Sequence, residues 1–281
     1  MSAGVMKSFR VRENELFITG PEPDFWRPPT DNDYGNGMEK RNADWKEAGK
    51  KAVLKSAQVT HPGMNGAVVR FTYDIPGLDE RKIASLVTTY TVHGDATVDV
   101  GYSFTKTDMR LEEIPRIGMQ MLMPEKYTDL SWYGRGPHEN YADRKSSAFV
   151  GLYESTVADQ YVPYVRPQEN GYKTYTRWMT ITDSKGFGLR FEGSPLFSFA
   201  ALNYLLGSTW VISLYNDPSL VNMKTASEWV IVGSVTLLFT IQAALIAWKA
   251  YTSNPAVANG DAPAPEPPAQ KPAGTTTPPT L

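Results

Sequence analysis

Apolar and polar positions alternate with a period of two over much of residues 1–204. In 97–104, Val98, Val100, Tyr102 and Phe104 fall on one face, while Thr97, Asp99, Gly101 and Ser103 fall on the other, the pattern of a half-buried strand. Residues 85–92 alternate likewise, with Leu86, Thr88, Tyr90 and Val92 together. His93-Gly94-Asp95 between these runs supplies turn chemistry and predicts a hairpin. Residues 68–75 form another alternating run, closed by Pro76-Gly77. Residues 181–183 and 188–191 flank Ser184-Lys185-Gly186 and predict a further hairpin. One short helix is expected, over 42–51 (NADWKEAGKK). Many short strands with so little helix predict an all-β domain, a large antiparallel β-sandwich over 1–204.

The pattern then changes. Residues 205–228 mix Leu205, Trp210, Val211, Ile212 and Leu214 with a turn at Asn216-Asp217-Pro218. This connector fits a strand, an interfacial segment or a loop. Residues 229–248 (WVIVGSVTLLFTIQAALIAW) carry no charge and are bounded by Glu228 and Lys249. At about 1.5 Å per residue such a run crosses roughly 30 Å of bilayer core as a helix. Its terminal tryptophans suit the interfacial aromatic belt. A single-pass transmembrane α-helix is therefore expected, with the lipid bilayer as partner and the membrane as location. The competing reading is a buried core helix. Lys224 and Lys249, near its two ends, leave the orientation open. Residues 249–281, dense in proline, alanine and threonine, are expected to be a disordered tail. Residues 1–20 lack the apolar core of a signal peptide and read as strand and turn, as if the chain began inside a domain.

Composition narrows the chemistry. No cysteine is present, which excludes disulfides, thiolate metal sites and a cysteine nucleophile. His61, His93 and His138 are the three histidines and show no metal-ligand spacing, so no metal site is expected. The net charge of −2, without a basic run, argues against a nucleic-acid partner. Three polar segments stand out. Residues 24–37 (DFWRPPTDNDYGNG) place Asp31, Asn32 and Asp33 after a stiff stem of Trp26, Arg27 and two prolines. Such a mixture suits a sugar, whose hydroxyls take carboxylates and amides; it equally suits an ordered turn in which the carboxylates satisfy backbone N–H groups. Residues 132–145 (WYGRGPHENYADRK) set His138 and Glu139 beside Asp143 and Arg144. Residues 161–178 (YVPYVRPQENGYKTYTRW) gather Gln168, Glu169 and Asn170 between Arg166 and Arg177. A retaining glycosidase needs two carboxyl groups about 5 Å apart. Asp31 and Asp33 are two positions apart, and Glu112 and Glu113 would point oppositely on a strand. The helix–strand alternation of a (β/α)8 barrel is absent as well, so no catalytic residue is expected in this chain.

FWRPPTDNDYGNG, WYGRGPHENYADR, YVPYVRPQENGYKTYTRW and the closing PLFSFAALNY occur in an order and spacing by which residues 5–204 resemble the small-chain (fifth, C-terminal) domain of family 2 glycoside hydrolase β-galactosidases. The resemblance implies an antiparallel supersandwich. It also implies hydrolysis of terminal β-D-galactosides with retention, by two glutamates of a barrel domain that this chain lacks. The chain alone is then expected to be inactive and to need no cofactor, with a galactoside and the missing barrel domain as partners. In the family the segment matching 27–35 borders the active-site mouth, which makes Asp31, Asn32 and Asp33, with Trp26 and Arg27, the candidate substrate-binding residues. The family's domain starts earlier and continues past the position of Tyr204. A truncated fragment joined to the end of a membrane protein is therefore expected, with open sheet edges. Three other readings stand beside this one. They are a membrane-tethered carbohydrate-binding module, an aldose-epimerase-like enzyme using His93, His138 and a carboxylate such as Glu139, and a fusion without function.

Overall fold

The structure is a computed structural model, and it describes residues 4–63, 66–166, 168–203, 209–216 and 230–235. The chain separates into Met1–Ile241 and Gln242–Leu281, and all described residues belong to the first unit. Its strands are β1 (Arg10–Val11), β2 (Asn14–Glu15), β3 (Thr19–Asp24), β4 (Val53–Gly63), β5 (Gly66–Pro76), β6 (Lys82–His93), β7 (Val98–Lys106) and β8 (Gly118–Pro124). They continue with β9 (Asp129–Gly136), β10 (Phe149–Thr156), β11 (Lys173–Thr182), β12 (Gly188–Asn203), β13 (Thr209–Asn216) and β14 (Val230–Val235).

Every pairing among them is antiparallel. One sheet runs β3-β8-β13-β12-β11-β9-β10 and the other β4-β5-β6-β7-β14. A bridge between Ser194 and Ser234 links β12 to β14 and so connects the two. The expected hairpins are present, 85–92 and 97–104 within β6 and β7, 181–183 and 188–191 at the β11–β12 turn. The apolar phases of β6, β7, β8, β9, β11 and β12 point into one core. Leu86, Tyr90, Val98, Val100, Tyr102 and Phe104 come from one sheet; Met121, Leu130, Trp132, Met179, Phe191, Phe197 and Phe199 come from the other.

Helix falls elsewhere than expected. Residues 42–51 hold only a 3-10 turn, Ala43–Trp45, followed by turns. The α-helical turns are α1 (Asp31–Asn36) and α2 (Met38–Arg41). Tertiary packing explains the difference. Trp45, Ala48 and Ala52 are all drawn into the core, and a Cβ on Gly49 would stand 2.0 Å from the Pro23 carbonyl oxygen. Gly49 is thus pressed against β3, and the segment around it closes as turns.

The connector 205–228 contains a strand. β13 pairs with β12 from Phe197↔Asn216 to Asn203↔Trp210, and with β8 from Thr209↔Pro124 to Tyr215↔Gly118. The expected transmembrane helix over 229–248 is corrected in its first part, because Val230–Val235 forms β14 against β7. The edge of β7 opposite β6 offers a row of unpaired backbone groups, and the β-branched Val230, Ile231, Val232 and Val235 suit a strand. A charge-free run fits a buried strand as well as a helix. Residues 236–248 and the expected tail lie outside the described residues. Among the described residues no helix is long and apolar enough to cross a membrane.

Phe25, Trp45 and Phe104 form an aromatic trio with ring centroids 5.2–6.0 Å apart, each ring at most 1% exposed. It ties β3 and the helical turns to β7. Phe104→Ala is expected to destabilise the fold by roughly 3–5 kcal/mol through lost burial and an unfilled cavity. Urea denaturation of the full chain measures this, as a lower midpoint at unchanged slope.

Candidate functional site

A cleft of about 920 Å3 collects all three polar segments. Its lining includes Arg27 and 30–33 from the first, 141–144 from the second, and Gln168, Glu169 and Tyr172 from the third. Residues 112–117, from the loop before β8, close another side.

The first wall is built around α1. Thr30 is its N-cap, in extended conformation, and its side chain accepts from the Asp33 N–H at 3.4 Å. The Asp33 carboxylate reaches back to the Thr30 N–H and hydroxyl, each at 2.8 Å, completing a capping box. The same carboxylate takes the Arg27 guanidinium in a two-pronged pair. Burial works to raise the Asp33 carboxyl, but the hydrogen bonds from Arg27 and Thr30 outweigh it and hold it below the usual carboxylate range.

Arg27 also lies 3.7 Å from Glu169, and Glu169 accepts a bond from the buried Arg116. Charges therefore alternate across the base of the cleft, from Asp33 to Arg27 to Glu169 to Arg116. Arg116 ends against the Tyr172 ring, 4.9 Å from its centroid, and Tyr172 stacks on Tyr141 at 5.4 Å.

The second and third segments are sewn together beneath this layer. Glu139 accepts from Arg144, from Tyr164 and from the Gly171 N–H at 2.9 Å. Asn140 is fully buried; its side-chain oxygen accepts from the Thr174 N–H at 3.0 Å and hydroxyl at 2.6 Å. The Asn140 N–H donates to the Tyr172 carbonyl at 2.8 Å. Lys173 is 2% exposed, donates to Gln160 at 2.8 Å and sits 5.4 Å from the Trp132 ring centroid. Burial pushes its amine down to about 8. Burial likewise raises the Tyr141 hydroxyl, helped by neighbouring Glu139.

The candidate residues divide. Asp31 and Asn32 line the cleft and are exposed. Arg27 and Asp33 line it too, but each is engaged by the other. Trp26 lies outside the lining; it packs against the core, with the Lys46 amine 6.0 Å over its ring. Glu112 and Glu113 occupy a loop, where both reach Arg41 instead of pointing apart on a strand. His93 pairs with Asp99 at 2.8 Å and His138 with Ser147 at 3.1 Å. Neither histidine lines the cleft or meets Glu139, so the arrangement required of an epimerase is not formed. Among the described residues no group of His, Asp and Glu side chains is placed to hold a metal ion. Arg116 was invisible as a site residue, since residues 111–117 carry neither periodicity nor a motif, whereas Tyr141 and Tyr172 lie inside the second and third polar segments without having been singled out there.

Two outcomes follow from the buried charges. Glu169→Ala leaves Arg27 and Arg116 without their shared carboxylate and is expected to cost roughly 3–5 kcal/mol in urea denaturation. Lys173 has an ordinary value of 10.5 and a folded value of about 8. Between these limits the unfolded chain keeps a proton that the folded chain has released, so wild-type stability gains with rising pH across that window. In Lys173→Met that gain should disappear, which denaturation at pH 7, 8, 9 and 10 will show.

A family described as "Beta galactosidase small chain" matches residues 1–209. The β-galactosidase of Priestia megaterium (strain DSM 319 / IMG 1521) is 37% identical over 201 residues, 72% of this chain and 19% of that protein. β-Galactosidase BgaC of Bifidobacterium adolescentis is 34% identical over 204 residues, 72% of this chain and 19% of its own length. The β-galactosidase of Lactobacillus delbrueckii subsp. bulgaricus is 35% identical over 201 residues, 70% and 19%. The chain thus matches about a fifth of the length of these relatives. With the match running through both sheets and all three cleft segments, the chain belongs to the β-galactosidase small-chain family.

Proposed function

We propose that this chain is the small-chain part of a β-galactosidase, which shapes the sugar site through its cleft while a larger partner supplies the catalytic carboxylates. The observation that carries this reading is the convergence of the three polar segments on one open cleft, with Asp31 and Asn32 left exposed at it. Retaining hydrolysis needs one carboxyl poised as acid and another as nucleophile, about 5 Å apart. The buried carboxylates here are committed otherwise: Asp33 to Arg27, Glu139 to Arg144, and Glu169 to Arg116. Such pairing fixes each carboxylate against its cation, which suits architecture, and in Asp33 the hydrogen bonds from Arg27 and Thr30 hold the carboxyl below its usual range. The substrate of the assembled enzyme is a terminal β-D-galactoside, and the partner is the remainder of a β-galactosidase.

Hydrolysis of a chromogenic β-galactoside tests this reading. The full chain alone should show no turnover. Mixed with a β-galactosidase polypeptide lacking the matching segment, it should restore activity. Turnover by the chain alone would overturn the assignment of the catalytic groups to a partner. An inactive mixture, beside an active intact control enzyme, would overturn the complementing role.

A further inference from the structure

Gln168 occupies a position that its surroundings do not exhaust. Its side-chain Oε1 accepts from the Asp31 N–H at 3.3 Å, and its own carbonyl accepts from Asn170 at 3.1 Å. The Asp31 N–H can only donate, so the carboxamide oxygen must face it and the NH2 end is turned the other way. That NH2 group has no partner among the described residues, and Gln168 lines the cleft beside Asp31. The Asp31 carboxylate is an acceptor, exposed and only loosely approached by Arg166 at 3.9 Å. Arg166 is itself laid over the Tyr34 ring, 3.3 Å from its centroid. The cleft wall therefore carries a free hydrogen-bond donor on Gln168 and an exposed acceptor on Asp31, two residues tied to each other by the bond from the Asp31 N–H.

A hydroxyl is the group that both donates one hydrogen bond and accepts another. We infer that Gln168 and Asp31 form a donor–acceptor pair that recognises one hydroxyl of the sugar ring, with the Gln168 NH2 donating to it and the Asp31 carboxylate accepting from it. This rests on the reading of the cleft as a sugar site and adds a specificity-determining residue to it. The helix and loop that carry the two groups are held from below by the Arg27–Glu169 contact, so the pair is set in place before a ligand arrives. A site built to bond a hydroxyl discriminates against the analogue that lacks it, because its polar groups are then left unmatched.

Gln168→Glu is the informative variant. It keeps an oxygen to accept from the Asp31 N–H while replacing the donor by a second acceptor. Ligand-observed NMR titration of the full chain with methyl β-D-galactoside, and with each of its monodeoxy analogues, reads the effect. Wild type should lose about tenfold in affinity toward one monodeoxy analogue, the worth of one hydrogen bond. Gln168→Glu and Asp31→Ala should bind the parent sugar about tenfold more weakly and no longer distinguish that analogue. Equal binding by wild type and Gln168→Glu would overturn the pair, as would loss in the variant without any change in discrimination. So would absence of sugar binding by wild type. The complementation assay is independent of all three results: restored turnover there leaves the small-chain reading standing when the pair falls, and its failure removes that reading by itself.

Discussion

A buried carboxylate shared between two arginines governs this structure. Glu169 and Arg116 have side chains only 4% and 7% exposed, and ionised groups at such depth are stable only when each meets its opposite. The alternation of Asp33, Arg27, Glu169 and Arg116 meets that demand along its whole length. It also fixes which loops must be neighbours. Arg27 belongs to the segment after β3, Arg116 to the one before β8, and Glu169 to the one before β11. Removing Arg27 or Glu169 breaks the alternation in its middle, so the three loops are held as a unit rather than as separate excursions from the sheets.

The sandwich below makes that unit rigid. The segment after β9 turns back through Glu139 and Asn140 to bond the backbone of 171–174 at the start of β11. Phe104 at the end of β7 is both core residue and cleft lining. The apolar layer that stabilises the fold is thus continuous with the floor of the site. Polar groups on irregular segments gain defined geometry because both ends of each segment are anchored in strands.

Strands were legible because their information is local. One face of β7 is apolar at Val98, Val100, Tyr102 and Phe104, and that face is the buried one. The helical turn α1 was legible in principle, since Thr30 and Asp33 have capping-box spacing. The paired prolines, glycines and acids around it gave the composition of a turn. β14 was misread because an uncharged run carries no period by which a strand differs from a helix; an open edge of β7, remote in sequence, decided the matter. Arg116 was illegible for a similar reason. Its role exists only once Glu169 and Tyr172 are brought to it from more than fifty positions away.

The same logic explains why neighbouring acids in 31–33 have different roles. A composition reading treats Asp31, Asn32 and Asp33 as one polar cluster. In a helix, each residue turns about 100° from the last, so positions two apart face nearly opposite ways. With Thr30 fixing the start of α1, Asp33 turns inward and is consumed by Arg27, while Asp31 turns outward beside Gln168. One acid therefore stabilises the wall on which the other is displayed. The division follows from the cap and the ion pair together: the capping box with Thr30 sets where α1 begins, and Arg27 then holds the Asp33 carboxylate, leaving Asp31 as the exposed acid of the cleft.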